Sequence, residues 1–296
     1  MEVQRTGDAL RATGAAPSER LRVAILRSDD PHHLWLEASL ARRLHVVGVV
    51  VEPGSAQQAR LWRTRKLTAW AWRGYQGRRQ RWTGRSAYRR RHFALDGLPL
   101  AAAPPRVEVD WINSERAREA VRSFAPDVVV VCGTMYLDPA VTGDAVTINV
   151  HGGWLPRYRG NHGVFFAYER GDFERIGASL HLLTADLDGG DVLAIVRPEV
   201  LPHDNDEHLY CRAVEAAIER LVSLLEQLEA GDAIPCTPQG PGAETFRHRD
   251  RTPARELRLW ARRRLGRHPV PHLRAVSEPE GRPAESTAPA RPGHRR

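Results

Sequence analysis

Lysine is almost absent: of the 44 basic residues in this 296-residue chain, Lys66 is the only one that is not arginine. Such a bias follows genomic composition as readily as function, so it is not read as a sign of bidentate recognition. Cysteine is scarce as well. Cys132, Cys211 and Cys236 are too few and too scattered for a disulfide framework, and no paired-Cys or paired-His spacing suggests structural zinc. His32 and His33 are adjacent, and neighbours on a loop or helix do not point at one metal, so no metal is expected. No apolar run approaches the roughly 20 residues of a membrane-spanning helix, and residues 1–20 lack the apolar centre of a secretory signal. A cytoplasmic location follows by default. Glycine is missing from the first strand-to-helix turn, Arg27-Ser28-Asp29-Asp30-Pro31. A dinucleotide pyrophosphate needs glycine there for close backbone approach, which disfavours an NAD site.

The elements that are present alternate between strand and helix. Leu21 to Leu26 is a short apolar run suited to a buried strand, Leu34 to Leu44 carries apolar residues at helical spacing, and His45 to Val51 is a second buried strand. Strand, helix, strand in so short a span is a βαβ unit and implies a parallel sheet. Val107–Val109 reads as a short strand, and Ser114 as the N-cap of a helix reaching Ala125. Val128 to Cys132, β-branched and apolar on both faces, reads as a central strand covered by helices on each side. Thr147–His151, Ala178–Thr184 and Val192–Val196 complete the strands, Val164–Arg170 reads as a helix, and Asp206 is expected to cap a long helix to Ala230. The fold class is therefore α/β, a mostly parallel, doubly wound, Rossmann-like sheet.

Residues 1–20 and 269–296 lack any helical or strand period and are expected to be a disordered leader and tail. Between them the organisation is a catalytic domain over 21–235 and an extension over 236–268, with a short basic helix at 254–265 begun by Thr252-Pro253. Residues 57–93 form an insert in which arginines interleave with Trp62, Trp70, Trp72, Tyr75, Trp82 and Tyr88. One or two helices are expected there, with Gly74 and Gly77 between them. Two readings stand: a solvated basic face whose tryptophans dock on the core, or a lid over a phosphorylated substrate or a surface for RNA or anionic lipid. The net charge of +8 favours acidic partners in general. DNA is not among those expected.

The chemistry concentrates between Thr147 and Asp191. Asn149 and His151 sit two residues apart at the end of a strand and so share a side, and Gly152-Gly153 lets the backbone turn sharply after them. If Asp188, in the turn Asp186-Leu187-Asp188-Gly189-Gly190-Asp191, lies beside His151, it favours the imidazolium. Asn149 and His151 then make a two-donor site for a developing oxyanion. No hydroxyl or thiol lies within the motif, so no covalent acyl-enzyme is suggested and the attack comes from a substrate amine or from water.

Asn149-x-His151, then Leu155-Pro156-x-x-Arg159-Gly160, a Gly171-Asp172 pair and Leu187-Asp188-Gly189-Gly190 together resemble the 10-formyltetrahydrofolate-dependent formyltransferases. This family includes methionyl-tRNA, glycinamide ribonucleotide and sugar N-formyltransferases. The resemblance implies that Asn149 and His151 hold the oxyanion formed when an amine attacks the formyl carbon, and that Asp188 keeps His151 charged and assists proton removal. It further implies that Met135-Tyr136-Leu137 and Asp186-Leu187 close the two sides of a pterin slot for 10-formyltetrahydrofolate. The chain departs from the family at Gly153-Trp154, where Ser-Leu is usual, which marks Trp154 as a residue that reshapes or gates the pocket. Arg159, Asn161 and His162 are candidate acceptor contacts, with a loop histidine in solvent as the alternative for His162.

The leading expectation is formyl transfer to a small amine that is phosphorylated or nucleotide-linked, above all an amino sugar carried on a nucleotide or a lipid. A methionyl-tRNA formyltransferase-like activity is weakened by the lack of alternating strands after Gly231 and kept open by the basic insert. A formyltetrahydrofolate hydrolase would use the same three residues. From another class, the chain could be a non-catalytic basic protein on a transferase scaffold, meeting RNA or membrane through 57–93 and 254–265. Oligomeric state is open.

Overall fold

A computed structural model describes residues 1–13, 20–95 and 103–278. In chain order the elements are β1 (Glu2–Thr6), β2 (Ala9–Thr13), β3 (Arg22–Arg27), α1 (Pro31–Arg43), β4 (His45–Val51), α2 (Gly54–Arg63), α3 (Leu67–Trp82), α4 (Arg85–His92), β5 (Arg106–Glu108), α5 (Glu115–Phe124), β6 (Val128–Cys132) and β7 (Val146–His151). Then follow β8 (Tyr158–Gly160), α6 (Gly163–Arg170), β9 (Ala178–Leu182), β10 (Val192–Arg197), α7 (Asp206–Glu229), β11 (Ile234–Pro235), β12 (Glu244–Phe246), α8 (Pro253–Arg264) and β13 (Val276–Glu278). Eight strands form the main sheet in the order β13-β10-β9-β7-β6-β3-β4-β5. The run from β7 to β5 is parallel, and β9, β10 and β13 are added antiparallel to their neighbours.

The apolar runs of the sequence are explained by helices on both faces. In β3, Val23 and Ile25 join the core beneath α7, whereas Ala24 and Leu26 join the core beneath α5; β6 divides the same way. Burial on both sides removes the need for polar alternation. Gly48 of β4 is required by packing, since a Cβ there would come within 2.4 Å of the Phe124 ring of α5. No helix among the described residues is long and apolar enough to cross a membrane.

The chain's ends differ from expectation. Residues 2–13 form a hairpin of β1 and β2, with Val3, Ala9 and Leu10 buried and β11 paired to β2. Each strand is too short and polar to announce itself, and pairing supplies its backbone partners. Beyond Pro269, Leu273 exchanges backbone hydrogen bonds with Val200 and β13 pairs with β10; the rest of the expected tail, 279–296, and residues 14–19 of the leader lie outside the described residues. Regularity also persists after Gly231, where β12 runs parallel to β8 over Glu244↔Tyr158 to Phe246↔Gly160. The long helix α7 is capped by Asn205, whose side chain accepts from the Glu207 and His208 amides, rather than by Asp206.

Asp206 is occupied elsewhere, and this decides how the insert docks. The insert is three helices rather than one or two, broken after Arg63 and at Thr83-Gly84, while Gly74 and Gly77 lie inside α3. Its basic face is only partly solvated, and three of its four tryptophans are not docked. Arg85 grips Asp206 with both terminal nitrogens (2.5 and 2.6 Å), Arg89 reaches Glu207 at 2.6 Å, and Arg79 pairs with Glu256. Arg251 adds a second cation to Asp206 at 2.9 Å. Trp62, Trp70 and Trp82 face outward. Burial would raise the Asp206 carboxyl, but Arg85 and Arg251 overturn this and hold it well below the usual carboxylate range. Burial, with Arg251 and Arg85 nearby, pushes Arg79 down to about 10. Asp206→Asn is expected to strand these guanidinium groups and destabilise the protein by about 3–5 kcal/mol. Urea unfolding checks this, and a change under about 1 kcal/mol would show that the cluster does not hold the insert.

Candidate active site

Strand β7 delivers Asn149 and His151 from the central sheet, and its antiparallel neighbour β9 places His181 directly opposite Asn149 and Ser179 opposite His151. The turn after β9 folds back so that Asp188 reaches the same place. Asp188 adopts a left-handed backbone conformation, φ 48°, which Asp tolerates better than most residues. Its Oδ2 accepts the Gly160 backbone N–H at 2.7 Å and lies 3.6 Å from His151 Nδ1, while Oδ1 lies 3.6 Å from His181 Nε2. The structure thus brings together Asn149, His151 and Asp188, with His181 as a fourth member.

Hydrogen-bond partners constrain the protons. His151 Nε2 lies 2.8 Å from the Tyr158 carbonyl oxygen, which can only accept, so Nε2 donates. Nδ1 faces a carboxylate, also an acceptor, so a doubly donating imidazole is the form that satisfies both neighbours. For His181, Nδ1 lies 2.9 Å from the Leu182 carbonyl and donates to it; Nε2 then accepts from Asn149 Nδ2 at 3.0 Å. That leaves the second N–H of Asn149 without a protein partner among the described residues. Burial would raise the Asp188 carboxyl, but the neighbouring His151 and the Gly160 N–H, with the His181 ring close by, hold it well below its ordinary value. The expected pair of free donors is therefore modified: Asn149 keeps a donor for an incoming oxygen, while His151 Nε2 is taken by the Tyr158 carbonyl and Nδ1 faces Asp188 at 3.6 Å.

Gly153 keeps this arrangement compact. A Cβ there would sit 2.7 Å from His151 Nε2 and 2.6 Å from Tyr158 O, inside the hydrogen bond that orients the ring. A second brace was invisible in the sequence. Gln239 Nε2 donates to the carbonyls of Asp188 (2.7 Å) and Gly190 (2.6 Å), and Gln239 Oε1 accepts from Arg159 (2.7 and 3.1 Å). Arg159, expected at the acceptor, instead holds the loop that carries Asp188. Gln239→Ala is expected to lower turnover roughly tenfold by loosening that loop, with substrate KM nearly unchanged, in steady-state kinetics. An unchanged kcat would remove Gln239 from the positioning machinery.

The other expected contacts divide. Trp154 is buried in a hydrophobic cluster with Tyr158, Phe166 and Ile176; it is a core side chain and not a gate. Asn161 uses its backbone N–H to bind the Phe246 carbonyl at 2.7 Å, extending the β8–β12 ladder. His162 is half-buried, with Nε2 3.1 Å from His248 Nδ1, so it is not a loop histidine in solvent. Burial, then the charges of Arg251 and His248, lower its affinity for a proton.

On the other side, the loop after β6 is held by Asn113, whose Nδ2 donates to the Tyr136 carbonyl and whose Oδ1 accepts the Asp138 N–H, both at 2.9 Å. Glu52 is fully buried, its Oε2 accepting from Gln57 Nε2 at 3.3 Å, and burial raises its carboxyl above the usual range. Leu137 packs in the core, while Tyr136 and Leu187 stay exposed, one apolar side chain from each of the two loops assigned to the pterin. Such exposed apolar groups on braced loops suit a flat, apolar-faced ligand. The Tyr136 carbonyl is already claimed by Asn113, which leaves other backbone groups of 133–137 to meet it.

Near the first turn, His32, His33 and Cys132 are buried, with one ligating atom of each within 4.8 Å of the others, contrary to the expectation that adjacent histidines diverge. The tautomer argues against His33 as a ligand: its Nδ1 accepts the Asp30 N–H at 3.2 Å, so the ring proton occupies Nε2 and this ring offers the cluster no lone pair.

Residues 79–225 match the family described as formyl transferase. The chain is 32% identical over 162 residues to the methionyl-tRNA formyltransferase of Burkholderia vietnamiensis, covering 53% of this chain and 49% of that one. With the methionyl-tRNA formyltransferase of Chlorobium chlorochromatii it shares 30% over 150 residues, 48% of each chain. It spans about half the length of the curated relatives it matches. Among solved structures, a Mycobacterium tuberculosis protein assigned to the sugar N-formyltransferases superposes with a TM-score of 0.50 at 16% identity, over 88% of this chain and 99% of that one; this is a likeness of fold.

Proposed function

From a chain that carries a formyl transferase domain over residues 79–225, we propose an enzyme that moves a formyl group from 10-formyltetrahydrofolate to the amine of a small acceptor. The observation that supports this reading most directly is the His151 imidazole held between the Tyr158 carbonyl and Asp188, beside an Asn149 amide with one N–H to spare.

10-Formyltetrahydrofolate, when bound, supplies the formyl carbon. The chain's residues supply the rest. Asn149 Nδ2 donates to an oxygen that gains negative charge, and the imidazolium of His151 stabilises that charge through space in a site largely closed to water. Asp188, ionised and in contact with His151, keeps the ring doubly donating and offers a carboxylate oxygen for the proton lost by the attacking amine. His181 orients Asn149 through its Nε2. With no hydroxyl or thiol in the set, transfer is direct, without an acyl-enzyme.

The acceptor reading is an amino sugar carried on a nucleotide or lipid. The net charge of +8 suits a phosphorylated acceptor. Strands β11, β12 and β13 lace residues 234–278 onto the catalytic sheets, so this stretch packs with the site rather than forming a separate RNA-binding unit. The test is mass spectrometry of amine acceptors, nucleotide-linked amino sugars and methionyl-tRNA included, incubated with enzyme and 10-formyltetrahydrofolate. Gain of one formyl group on an amino sugar is expected. Formylation of methionyl-tRNA alone would overturn the acceptor class, and formate release independent of any amine would overturn transfer in favour of hydrolysis.

A further inference from the structure

The insert keeps its paired arginines inside and shows the solvent a face of another kind. On α3, Leu67, Trp70, Ala71, Arg78 and Arg81 are all exposed, and their spacing of three, four, eleven and fourteen residues puts them along one side of the helix. Trp62, on α2, packs its ring 5.0 Å from that of Trp70. Trp82 is 91% exposed. Helix α8 packs beside α3 through the nearly buried pair of Arg79 with Glu256; its exposed side chains include Leu257 (65% exposed) and Trp260 (63%), with Leu265 (64%) just beyond its end. Of the twelve large apolar side chains exposed among the described residues, seven lie on these segments.

The charge on this face has one sign. From Gly54 to His92 there are twelve basic residues and no acidic one. Arg63, Arg65, Lys66, Arg78, Arg81 and Arg258 have no carboxylate partner among the described residues, unlike Arg79, Arg85 and Arg89. An ordinary solvated face explains neither the leucines nor the tryptophans, which lose free energy in water.

We infer that this face, α2–α3 together with α8, lies on an anionic lipid bilayer, its tryptophans and leucines entering the headgroup boundary while the unpaired arginines meet lipid phosphates. Leu67, Leu257 and Leu265 have no ring to stack on a base, so RNA would leave them unused. A second copy related by a two-fold axis would set arginine against arginine, with no acid on either side to offset it. An anionic bilayer satisfies both the charge and the apolar groups. The site opens at the same edge of the sheet from which the insert departs, since α2 follows the carboxyl end of β4 and His151 ends the parallel strand β7.

The experiment is flotation of the full chain with phosphatidylcholine vesicles, with and without phosphatidylglycerol, alongside a Leu257→Ser/Trp82→Ser/Trp260→Ser variant. Binding to the anionic vesicles, weakened but not abolished by salt, with a blue shift of tryptophan emission, is expected; the variant should lose roughly tenfold in partitioning while retaining its circular dichroism spectrum and its formyl transfer to a soluble acceptor. Absence of binding to phosphatidylglycerol vesicles overturns the inference, as does undiminished binding by the variant. Gel-shift of RNA without vesicle binding would reassign the face to RNA, and a dimer dispersed by the same substitutions without vesicle binding would reassign it to self-association. Flotation needs neither acceptor nor formyl donor, so its outcome is separate from that of the transfer assay.

Discussion

His151→Ala is expected to lower formyl transfer roughly 10³-fold while the protein remains folded. The loss has two sources. The charge that stabilises the developing oxyanion disappears, and Asp188 loses the partner that keeps it placed. In barrier height this is about 4 kcal/mol. The stability cost is smaller: the Tyr158 carbonyl loses its donor, worth about 1–3 kcal/mol if it stays buried and unmet. His151→Gln separates the two, because its amide can still donate to Tyr158 O but cannot carry charge. That variant should regain stability and not turnover. Comparing kcat with the unfolding midpoint of both variants checks the argument, and a near wild-type kcat in either would sink the role of His151.

Asp188→Asn should reduce turnover by roughly 10²–10³-fold with little strain. Asparagine tolerates the left-handed backbone at this position, and its carbonyl oxygen can still accept the Gly160 N–H. What it lacks is the negative charge toward His151 and the capacity to receive a proton. The substitution also has a signature in stability. The Asp188 carboxyl is held below its unfolded value in the native protein, so as pH falls through about 4 the unfolded chain takes up the proton first. Stability contributed by Asp188 is full above that pH and is lost progressively below it. The variant should therefore show a flatter acid limb than wild type in urea unfolding at pH between about 2 and 5. An identical acid limb would mean that the charge of Asp188 is not engaged in the native fold.

Much of the site was legible because it is local. Asn149 and His151 share a strand, and Gly152-Gly153 announces the turn beside them; Asp188 lies in a Gly-rich acidic turn. His181 was not legible. It is one polar residue in an apolar strand, and only the register that sets it opposite Asn149 gives it a role. Gln239 was hidden for the same reason, acting through backbone groups that are distant in sequence. The insert was misread in a more instructive way. Its cations have no acids nearby in sequence and so resemble a solvated face, but Asp206, Glu207 and Glu256 on α7 and α8 draw three of them inward, while Trp62, Trp70 and Trp82 face out.

By itself, then, the sequence determined the parallel strands, through β-branched runs too apolar to face water on either side, and pointed to Asn149, His151 and Asp188 as the candidate set, through an Asn-x-His at a strand end and a Gly-rich acidic turn. Only the tertiary structure decided which nitrogen of His151 is engaged, which side chains brace Asp188, and which face of the insert meets solvent. Those are outcomes of hydrogen-bond and ion-pair partners brought together across many residues, and no local pattern encodes a partner that the chain has yet to fold against.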